Sequence, residues 1–383
     1  MKYPVSIISA SGYGAEIILA ALRELLAPLG GMAAFVRPGQ RVLIKPNMLS
    51  ARPPEKAVTT HPEVVRGIIR LVQECGGVPW VGDSPGVGST LSVAAKCGIL
   101  DVVRDTGAAL AHFRESVPFP HDIGRFPRLE IAREALEADV IINLPKLKTH
   151  QMMGGTGAIK NLFGVVVGLR KVNLHLQAGS DKALFARLLL DLARHVAPAL
   201  TVVDAVMAME GNGPGSGTPV AVGALLGGCN PLAVDTAAFA MLGLRPDAVW
   251  TQKIAREEGC PGSFLDDLEL FGPPLESLRP PSFRPAREGD IGFGIPSFLR
   301  RGLNKSLSAL PEVDMGRCLL CGICQRHCPV EAISVHAGFL EIDKRLCIGC
   351  FCCQELCPEG AIEARQGILL RLYERFTKQR SKS

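Results

Sequence analysis

CLLCGICQRHCP (residues 318–329) and CIGCFCCQELCP (residues 347–358) are two copies of one cysteine motif, C-x-x-C-x-x-C-x-x-x-C-P. Each cysteine of the first copy recurs 29 positions later in the second (318 to 347). A repeat of this fidelity predicts two similar halves packed about an approximate twofold axis. Thiolates at this spacing are ligands of iron–sulfur clusters. The repeat therefore predicts a small module that binds two [4Fe–4S] clusters.

The ligands of the two clusters are expected to cross over between the copies, because the fourth cysteine of each motif binds the cluster of the other motif in two-cluster modules. The first cluster is expected on Cys318, Cys321, Cys324 and Cys357. The second cluster is expected on Cys347, Cys350, Cys353 and Cys328. A zinc site would leave the third cysteine of each motif unexplained, and a disulfide framework would need an oxidising compartment. Cys352 is out of register and is interpreted as a spare thiol.

The rest of the composition indicates a globular protein, with 383 residues of which 47% are hydrophobic. No run reaches the roughly 18 uninterrupted apolar residues of a membrane span. The first residues, MKYP, lack the apolar core of a signal peptide, so we expect a cytoplasmic protein. The formal charge of +5 falls close to neutral once two anionic clusters are bound. Nucleic acid is therefore not an expected partner.

Residues 1–275 alternate short apolar runs with amphipathic segments. Candidate strands are 41–45, 78–82, 139–143, 200–204 and 220–226, and candidate helices are 62–75, 91–106, 183–195 and 231–242. Near-continuous apolar strands that alternate with helices are typical of an α/β fold with a doubly wound, mostly parallel sheet. We therefore expect one α/β domain over residues 1–275.

Three further segments follow this domain. Residues 276–310 are expected to form a linker rich in proline and arginine together with a short helix, and residues 311–366 the two-cluster module. Residues 367–383 form a basic amphipathic tail. The tail is expected to pack on the acidic module, with contact to a membrane surface as the alternative.

Polar side chains follow several of the predicted strands, and ligands of open α/β sheets bind outside the carboxyl ends of the strands. Lysine and asparagine side chains at these positions favour an anionic small molecule as the ligand. Substrate binding is expected from Lys45, Asn47, Asp83, Lys146, Lys148, Lys160, Asn161 and Glu210, and proton supply from His150 or Asp204. A divalent cation on the carboxylates is the second possibility at this edge.

Glycines stand before the predicted helical segment that contains Lys160. Gly154, Gly155 and Gly157 could leave backbone N–H groups free at the start of that segment to bind an anion. The segment GGTGAIKN is not a Walker A motif, and no G-x-G-x-x-G fingerprint with its acidic follower is present. No nucleotide cofactor is therefore expected.

Six short segments of the α/β domain resemble the family catalogued as domain of unknown function 362. They are VLIKPN (42–47), TTHP (59–62), GDSPG (82–86), NLPKLKTH (143–150), GAIKNLFG (157–164) and GNGPGSG (211–217). Members of this family are often fused to a two-cluster ferredoxin module, and the order of parts here is the same. The resemblance implies an α/β domain followed by a small α+β ferredoxin-like two-cluster module. It carries over no substrate or reaction.

Two functions fit these features. The first is an iron–sulfur oxidoreductase that passes electrons from two [4Fe–4S] clusters to an anionic substrate at the strand ends. The second is an electron-transfer or cofactor-maturation component whose α/β domain binds a partner protein or a metal centre. Both need an electron donor or acceptor protein as a partner. A third possibility is that the clusters have a structural role and only stabilise the fold of the module.

Overall fold

The computed structural model describes residues 2–124, 126, 129–168, 170–286 and 309–366. Most of the predicted linker, including its short helix, lies outside the described residues, as does the whole predicted tail. None of the described helices has the length and apolar character needed to cross a lipid bilayer.

The strands of the α/β domain are β1 (Tyr3–Ser9), β2 (Arg41–Pro46), β3 (Val78–Val81), β4 (Ala109–Leu110), β5 (Ser116–Pro118), β6 (Glu130–Ala132), β7 (Val140–Leu144), β8 (Lys146–His150), β9 (Gly154–Thr156), β10 (Leu200–Glu210), β11 (Thr218–Gly228) and β12 (Leu268–Phe271). Its helices are α1 (Ala15–Leu26), α2 (Pro62–Glu74), α3 (Thr90–Lys96), α4 (Ile99–Thr106), α5 (Arg133–Glu137), α6 (Ala158–Asn161), α7 (Arg170–Ala178), α8 (Lys182–Val196), α9 (Pro231–Met241) and α10 (Trp250–Glu257).

Within the described residues, ten strands form one sheet in the order β12-β1-β11-β10-β7-β2-β3-β4, with β8 beside β10 and β9 beside β8. The pairs from β10 through β7, β2 and β3 to β4 are parallel, as are β10–β8 and β1–β12. Strand β11 is antiparallel to both of its neighbours, and β9 is antiparallel to β8. The mostly parallel sheet predicted from the sequence is confirmed.

Helices cover both faces of this sheet because successive strand residues point to opposite faces. In β2, Val42 and Ile44 pack into a core with α1 and α2, whereas Leu43 packs into a second core with α7 and α8. In β7, Ile142 joins the first core and Ile141 the second. The strands are therefore buried on both sides, which makes the fold doubly wound.

One predicted helix, 91–106, is divided into α3 and α4. Gly98 lies between them with a φ of 79°, in the left-handed region that favours glycine. Helix α2 begins at Pro62 as expected, and the His61 side chain accepts a hydrogen bond from the Glu63 N–H. The predicted strand 200–204 continues to residue 210 because it pairs with β11 along that extra length.

The small module has the order β13 (Ala309–Val313), α11 (Ile323–Arg326), β14 (Ile333–His336), β15 (Phe339–Ile342), α12 (Cys352–Leu356) and β16 (Ile362–Gln366). Strand β13 pairs antiparallel with β16, and β14 with β15. This is the expected α+β module. It contacts the α/β domain directly, since the Gln354 side chain donates to the Gly213 carbonyl at 3.0 Å.

Candidate functional site

A cavity of about 350 Å³ lies between the carboxyl ends of β2, β3 and β8 and the helix α12 of the small module. Asn47, Asp83 and Lys148 line it from the α/β domain. Cys352 and Glu355 line it from α12. The cavity therefore lies at the edge of the sheet where ligands of α/β proteins bind, and the cysteine module forms its opposite wall.

Lys148, Lys160 and Lys171 bring ammonium groups to the cavity. Lys148 is 2% exposed and donates to the Asn47 Oδ1 at 2.8 Å and to the Val58 carbonyl at 2.7 Å. Burial, assisted by the charge of Lys160, lowers the pKa of Lys148 to about 7. Lys171 was not predicted as a site residue; it donates to the Ser84 carbonyl, and burial lowers its pKa to about 8.

Lys45 lies behind the cavity wall and pairs with Asp83, which does line the cavity. Their charged atoms are 2.8 Å apart and both side chains are buried. The other Asp83 oxygen accepts from the Met48 N–H at 2.7 Å. A Cβ at Gly164 would lie 2.0 Å from Asp83 Oδ1, so this glycine is needed for the close approach. Lys45 was expected to bind substrate; in the structure it neutralises Asp83.

Three asparagine amides form a chain beneath the cavity. Asn161 donates to the Asn143 Oδ1 at 2.8 Å, and Asn47 donates to the Asn161 Oδ1 at 3.1 Å. Asn47 in turn accepts from Lys148. Asn47 and Asn161 line the cavity, but these bonds use their amides to orient Lys148. Asn143, which sequence reasoning missed, completes the chain from β7.

His150 lies at the end of β8 and faces Glu355 of the small module. Its Nδ1 accepts from the Met152 and Met153 N–H groups, at 3.1 and 3.3 Å. Its Nε2 is 2.5 Å from the Glu355 Oε1, although the two groups are poorly aligned for a hydrogen bond. Burial, with a contribution from Lys160, lowers the pKa of His150 to about 4, so its ring is neutral at neutral pH.

Glu355 is the charged group that the module contributes to the cavity. Its Oε1 lies 3.7 Å from the Lys160 Nζ. Burial alone would raise the pKa of Glu355, but Lys160 and His150 lower it more, and the result lies below the ordinary range. Glu355 is therefore ionised. Sequence reasoning missed it, because the spacing of the cysteines does not show which face of α12 meets the α/β domain.

His175 on α7 is another histidine that lines the cavity, and no role was predicted for it from the sequence. It is buried and stacks on Phe185 with ring centroids 4.3 Å apart. Its Nδ1 has no hydrogen-bond partner within the described part of the chain. Burial lowers the pKa of His175 to about 3, so a neutral ring nitrogen is left without a protein partner.

Two predicted site residues, Lys146 and Asp204, form a separate buried pair outside the cavity lining. The Lys146 Nζ lies 2.8 Å from the Asp204 Oδ2 and donates to the Tyr13 hydroxyl at 2.7 Å. Tyr13 donates to the other Asp204 oxygen at 2.7 Å and stacks on His61. In the structure each satisfies the charge of the other, and the roles predicted for them, substrate binding for Lys146 and proton supply for Asp204, stay predictions.

Glu210 also lies outside the cavity lining. Its two carboxylate oxygens accept hydrogen bonds from Arg284, one from the side chain at 2.6 Å and one from the backbone N–H at 2.8 Å. The expected anion site at the start of α6 is filled from within the chain. Asp235 accepts from the Ala158 and Ile159 N–H groups at 2.6 and 3.0 Å. Gly157 permits this, because a Cβ there would lie 2.1 Å from Asp235 Oδ1. The predicted role of Glu210 in substrate binding stays a prediction, whereas Asp235 already uses the N–H groups that were expected to bind an anion.

The predicted carboxylate site for a divalent cation does not form. Asp83, Asp204 and Glu210 each pair with a different cation, namely Lys45, Lys146 and Arg284. Across the described ranges, no three His, Cys, Asp or Glu side chains converge closely enough to hold a single metal ion.

The cysteines of the repeat line two small apolar cavities in the module. One is lined by Cys318, Cys321, Cys324 and Cys357, and the other by Cys328, Cys347, Cys350 and Cys353. Backbone N–H groups point at the fourth sulfur of each motif, from Ala332 to Cys328 at 3.2 Å and from Ala361 to Cys357 at 3.3 Å. Such bonds stabilise thiolates that ligate clusters. The donor sets therefore fit two cubane clusters.

Glycines of two family motifs allow the module to dock. A Cβ at Gly86, in GDSPG, would lie 2.9 Å from a Leu356 methyl group. A Cβ at Gly215, in GNGPGSG, would lie 3.0 Å from the Glu355 carbonyl oxygen. These loops were predicted to follow strands, and in the structure they form the surface on which α12 rests.

The fold and the two cysteine sets define an iron–sulfur protein with an α/β domain. Residues 310–358 match the family model described as "4Fe-4S dicluster domain". Residues 42–240, about half of the chain, match the model "Domain of unknown function (DUF362)". The chain belongs to the DUF362 family, as its sequence motifs implied.

Two similar proteins add to this assignment. "Thylakoid-associated protein sll1697" of Synechocystis sp. is 39% identical over 300 residues, which are 78% of this chain and 93% of the relative. The lactate racemase apoprotein of Thermoanaerobacterium thermosaccharolyticum is a structural neighbour with 16% identity and a TM-score of 0.38. That likeness covers 60% of this chain and 54% of the neighbour.

Proposed function

We propose that this protein is an oxidoreductase in which two [4Fe–4S] clusters pass electrons to an anionic small molecule held in the cavity. The observation that carries the proposal is the composition of the cavity wall. Lys148 and Lys160 line it from the α/β domain, and Cys352 lines it from the module. Cys352 stands between Cys350 and Cys353, two expected ligands of the second cluster. A ligand in the cavity would therefore lie beside that cluster.

When bound, each cluster would supply one electron at a time, so two clusters suit an acceptor that takes two electrons. The ligands would be the two cysteine sets that line the small cavities of the module. An electron donor protein is needed to reduce them. A cytoplasmic location is part of this proposal.

Cations of the cavity would bind the anion. The Glu355 Oε1 lies 3.7 Å from the Lys160 Nζ, whereas Lys171 donates to the carbonyl oxygens of Ser84 and Pro85 in the loop after β3. Asp83 is neutralised by Lys45. Positive charge therefore exceeds negative charge around the cavity, which favours a carboxylate or a phosphate ester as the ligand.

Proton delivery is assigned differently from the sequence prediction. His150 lines the cavity, but its Nδ1 accepts from backbone N–H groups and its pKa is about 4. It therefore acts as a positioning residue for Glu355. Lys148 and Lys171, with pKa values of about 7 and about 8, are cavity groups that can hold or release a proton near neutral pH.

The test is a thermal-shift screen of carboxylates and phosphate esters against the anaerobically reconstituted protein. A ligand at about a hundredfold above its Kd should stabilise the fold by about 2.7 kcal/mol. Lys160→Met and Lys171→Met should abolish the shift, and Lys96→Met, at an exposed position of α3, should retain it. An equal shift in all three variants would show that the anion binds elsewhere.

A second candidate function is an electron-transfer component that serves a partner protein. Leu319 and Leu346 are 70% and 54% exposed, and they directly adjoin Cys318 and Cys347. Exposed apolar side chains beside cluster ligands suit transient docking of another redox protein. This second function is favoured if no anion binds in the cavity and the reduced clusters still transfer electrons to a protein acceptor.

A further inference from the structure

We propose that Lys148 is a covalent nucleophile whose amine condenses with the carbonyl group of an oxo acid bound in the cavity. The inference rests on the proposed function for the location and the anionic character of the substrate. It adds a chemical class, a carbonyl compound that also carries a carboxylate.

Hydrogen bonding distinguishes Lys148 from the other buried lysines of this edge of the sheet. The ammonium groups of Lys45 and Lys146 each lie 2.8 Å from a carboxylate oxygen, which opposes the lowering of their pKa by burial. Lys148 instead donates to two uncharged oxygens, those of the Asn47 amide and the Val58 carbonyl. A neutral amine has two N–H bonds and one lone pair. These two acceptors satisfy both N–H bonds, and the lone pair remains for a ligand in the cavity that Lys148 lines.

The charges around Lys148 also favour the neutral amine. Lys160 and Lys146 act with burial to lower its pKa, while Glu355 and Asp83 act in the opposite direction. Desolvation beside a second cation is a known way to activate a lysine for attack on a carbonyl group. At neutral pH a substantial fraction of Lys148 is therefore uncharged.

Other groups of the cavity fit the rest of an oxo acid. Lys160 and Lys171 can bind its carboxylate, and His175 has a buried ring nitrogen that finds no hydrogen-bond partner among the described residues. Phe163 and Val172 line the cavity as apolar surface for a hydrocarbon body. A carboxylate and a carbonyl on a short apolar frame would use each of these groups.

The condensation balances without an oxidant or a reductant. Lys148 Nζ forms a bond to the carbonyl carbon, and the carbonyl oxygen leaves as water with the two protons of the amine. Reduction of the resulting C=N bond would leave the substrate on Lys148. The two electrons from the reduced clusters, with two protons from solvent, would therefore have to reduce a C=C bond conjugated to the imine. One water would then hydrolyse the imine, release the reduced oxo acid and restore the lysine.

The test traps the imine on the holoprotein with oxidised clusters, under anaerobic conditions. Pyruvate, phenylpyruvate and 4-oxopentanoate serve as probes, and sodium cyanoborohydride reduces any imine to a stable secondary amine. Peptide mass spectrometry of the wild-type protein should place the adduct on Lys148. Lys148→Met and Lys148→Arg should lose it, and the exposed control Lys96→Met should keep it.

Two results would overturn the inference. One is the absence of an adduct on Lys148 with all three probes. The other is labelling of Lys96 in wild-type protein to the same extent as Lys148. Trapping needs no reduced cluster and no C=C bond, so these probes test the lysine alone. The redox function is tested with an oxo acid whose C=C bond is conjugated to the carbonyl, such as 4-oxopent-2-enoate, and an adduct that forms without oxidation of reduced clusters would refute the redox function alone. Cluster oxidation by an oxo acid without an adduct would refute the role of Lys148 alone.

Discussion

The buried pair of Lys45 and Asp83 offers a sharp test of the electrostatics at the base of the cavity. Asp83→Asn removes one charge but keeps an oxygen that can accept from the Met48 N–H. Lys45 then stays buried with no carboxylate, because its side chain is 0% exposed and Asp83 is its partner at 2.8 Å.

Removal of one member of a buried ion pair costs about 3–5 kcal/mol. For a chain of 383 residues, 1 kcal/mol corresponds to roughly 1 °C in Tm, so we expect a fall of roughly 4–6 °C. The double variant Lys45→Met/Asp83→Asn should recover about 3 kcal/mol or more, because no unpaired charge remains and methionine fills a similar volume.

The assay is urea unfolding at pH 7, followed by far-ultraviolet circular dichroism on anaerobically prepared protein. Glu74→Gln is the matched control, because it breaks the exposed pair of Glu74 and Arg23, whose side chains are 45% and 54% exposed. That change should cost less than about 1 kcal/mol. Two results would refute the reasoning. One is a loss of unfolding free energy for Asp83→Asn as small as that of the control. The other is a loss for the double variant equal to the summed losses of Asp83→Asn and Lys45→Met.

Three further predictions follow. The pKa values of His150 and His175 in the folded protein are lowered to about 4 and 3, below the value of about 6.5 in the unfolded chain. The free energy of unfolding is therefore highest above pH 6.5 and decreases as the pH falls, because the unfolded chain binds protons first. For His150 the loss between pH 6.5 and 4 is roughly 3 kcal/mol, and His150→Asn should flatten the pH profile of urea unfolding. Gly215→Leu should push α12 away at the Glu355 carbonyl and increase amide exchange there. Cys328→Ala should halve the iron content and remove one of two reduced-cluster signals in electron paramagnetic resonance.

The fold could be predicted largely from local patterns. Apolar runs such as 41–45 and 139–143 lie on buried parallel strands, and that composition already favours a doubly wound sheet. The split of 91–106 could not be predicted from apolar periodicity, because Gly98 interrupts the helix while the spacing of apolar residues continues.

The candidate site was predicted only in part, because partners distant in the sequence decide which charges remain available. Lys146 and Lys148 stand two positions apart in one motif, yet Lys146 meets Asp204 and Lys148 meets the amide of Asn47. Glu210 is bound by Arg284, which lies 74 positions later. No local spacing indicates these pairings.

The side of the cavity that the module forms could not be predicted from the sequence either. The register of the cysteines predicts the expected ligands but leaves Cys352 unexplained, and the structure places Cys352 against the cavity. The same docking brings Glu355 to His150, at 2.5 Å. Both contacts depend on how two domains pack, which the sequence of either one does not specify.

The most direct test of the account counts the electrons that leave the reduced clusters. Fully reduced holoprotein is mixed anaerobically with an anion that raises its Tm, and the clusters are followed by electron paramagnetic resonance. We expect the loss of about two electrons per chain, with a much slower loss in Lys160→Met. Clusters that stay reduced in the presence of every anion that binds would contradict it.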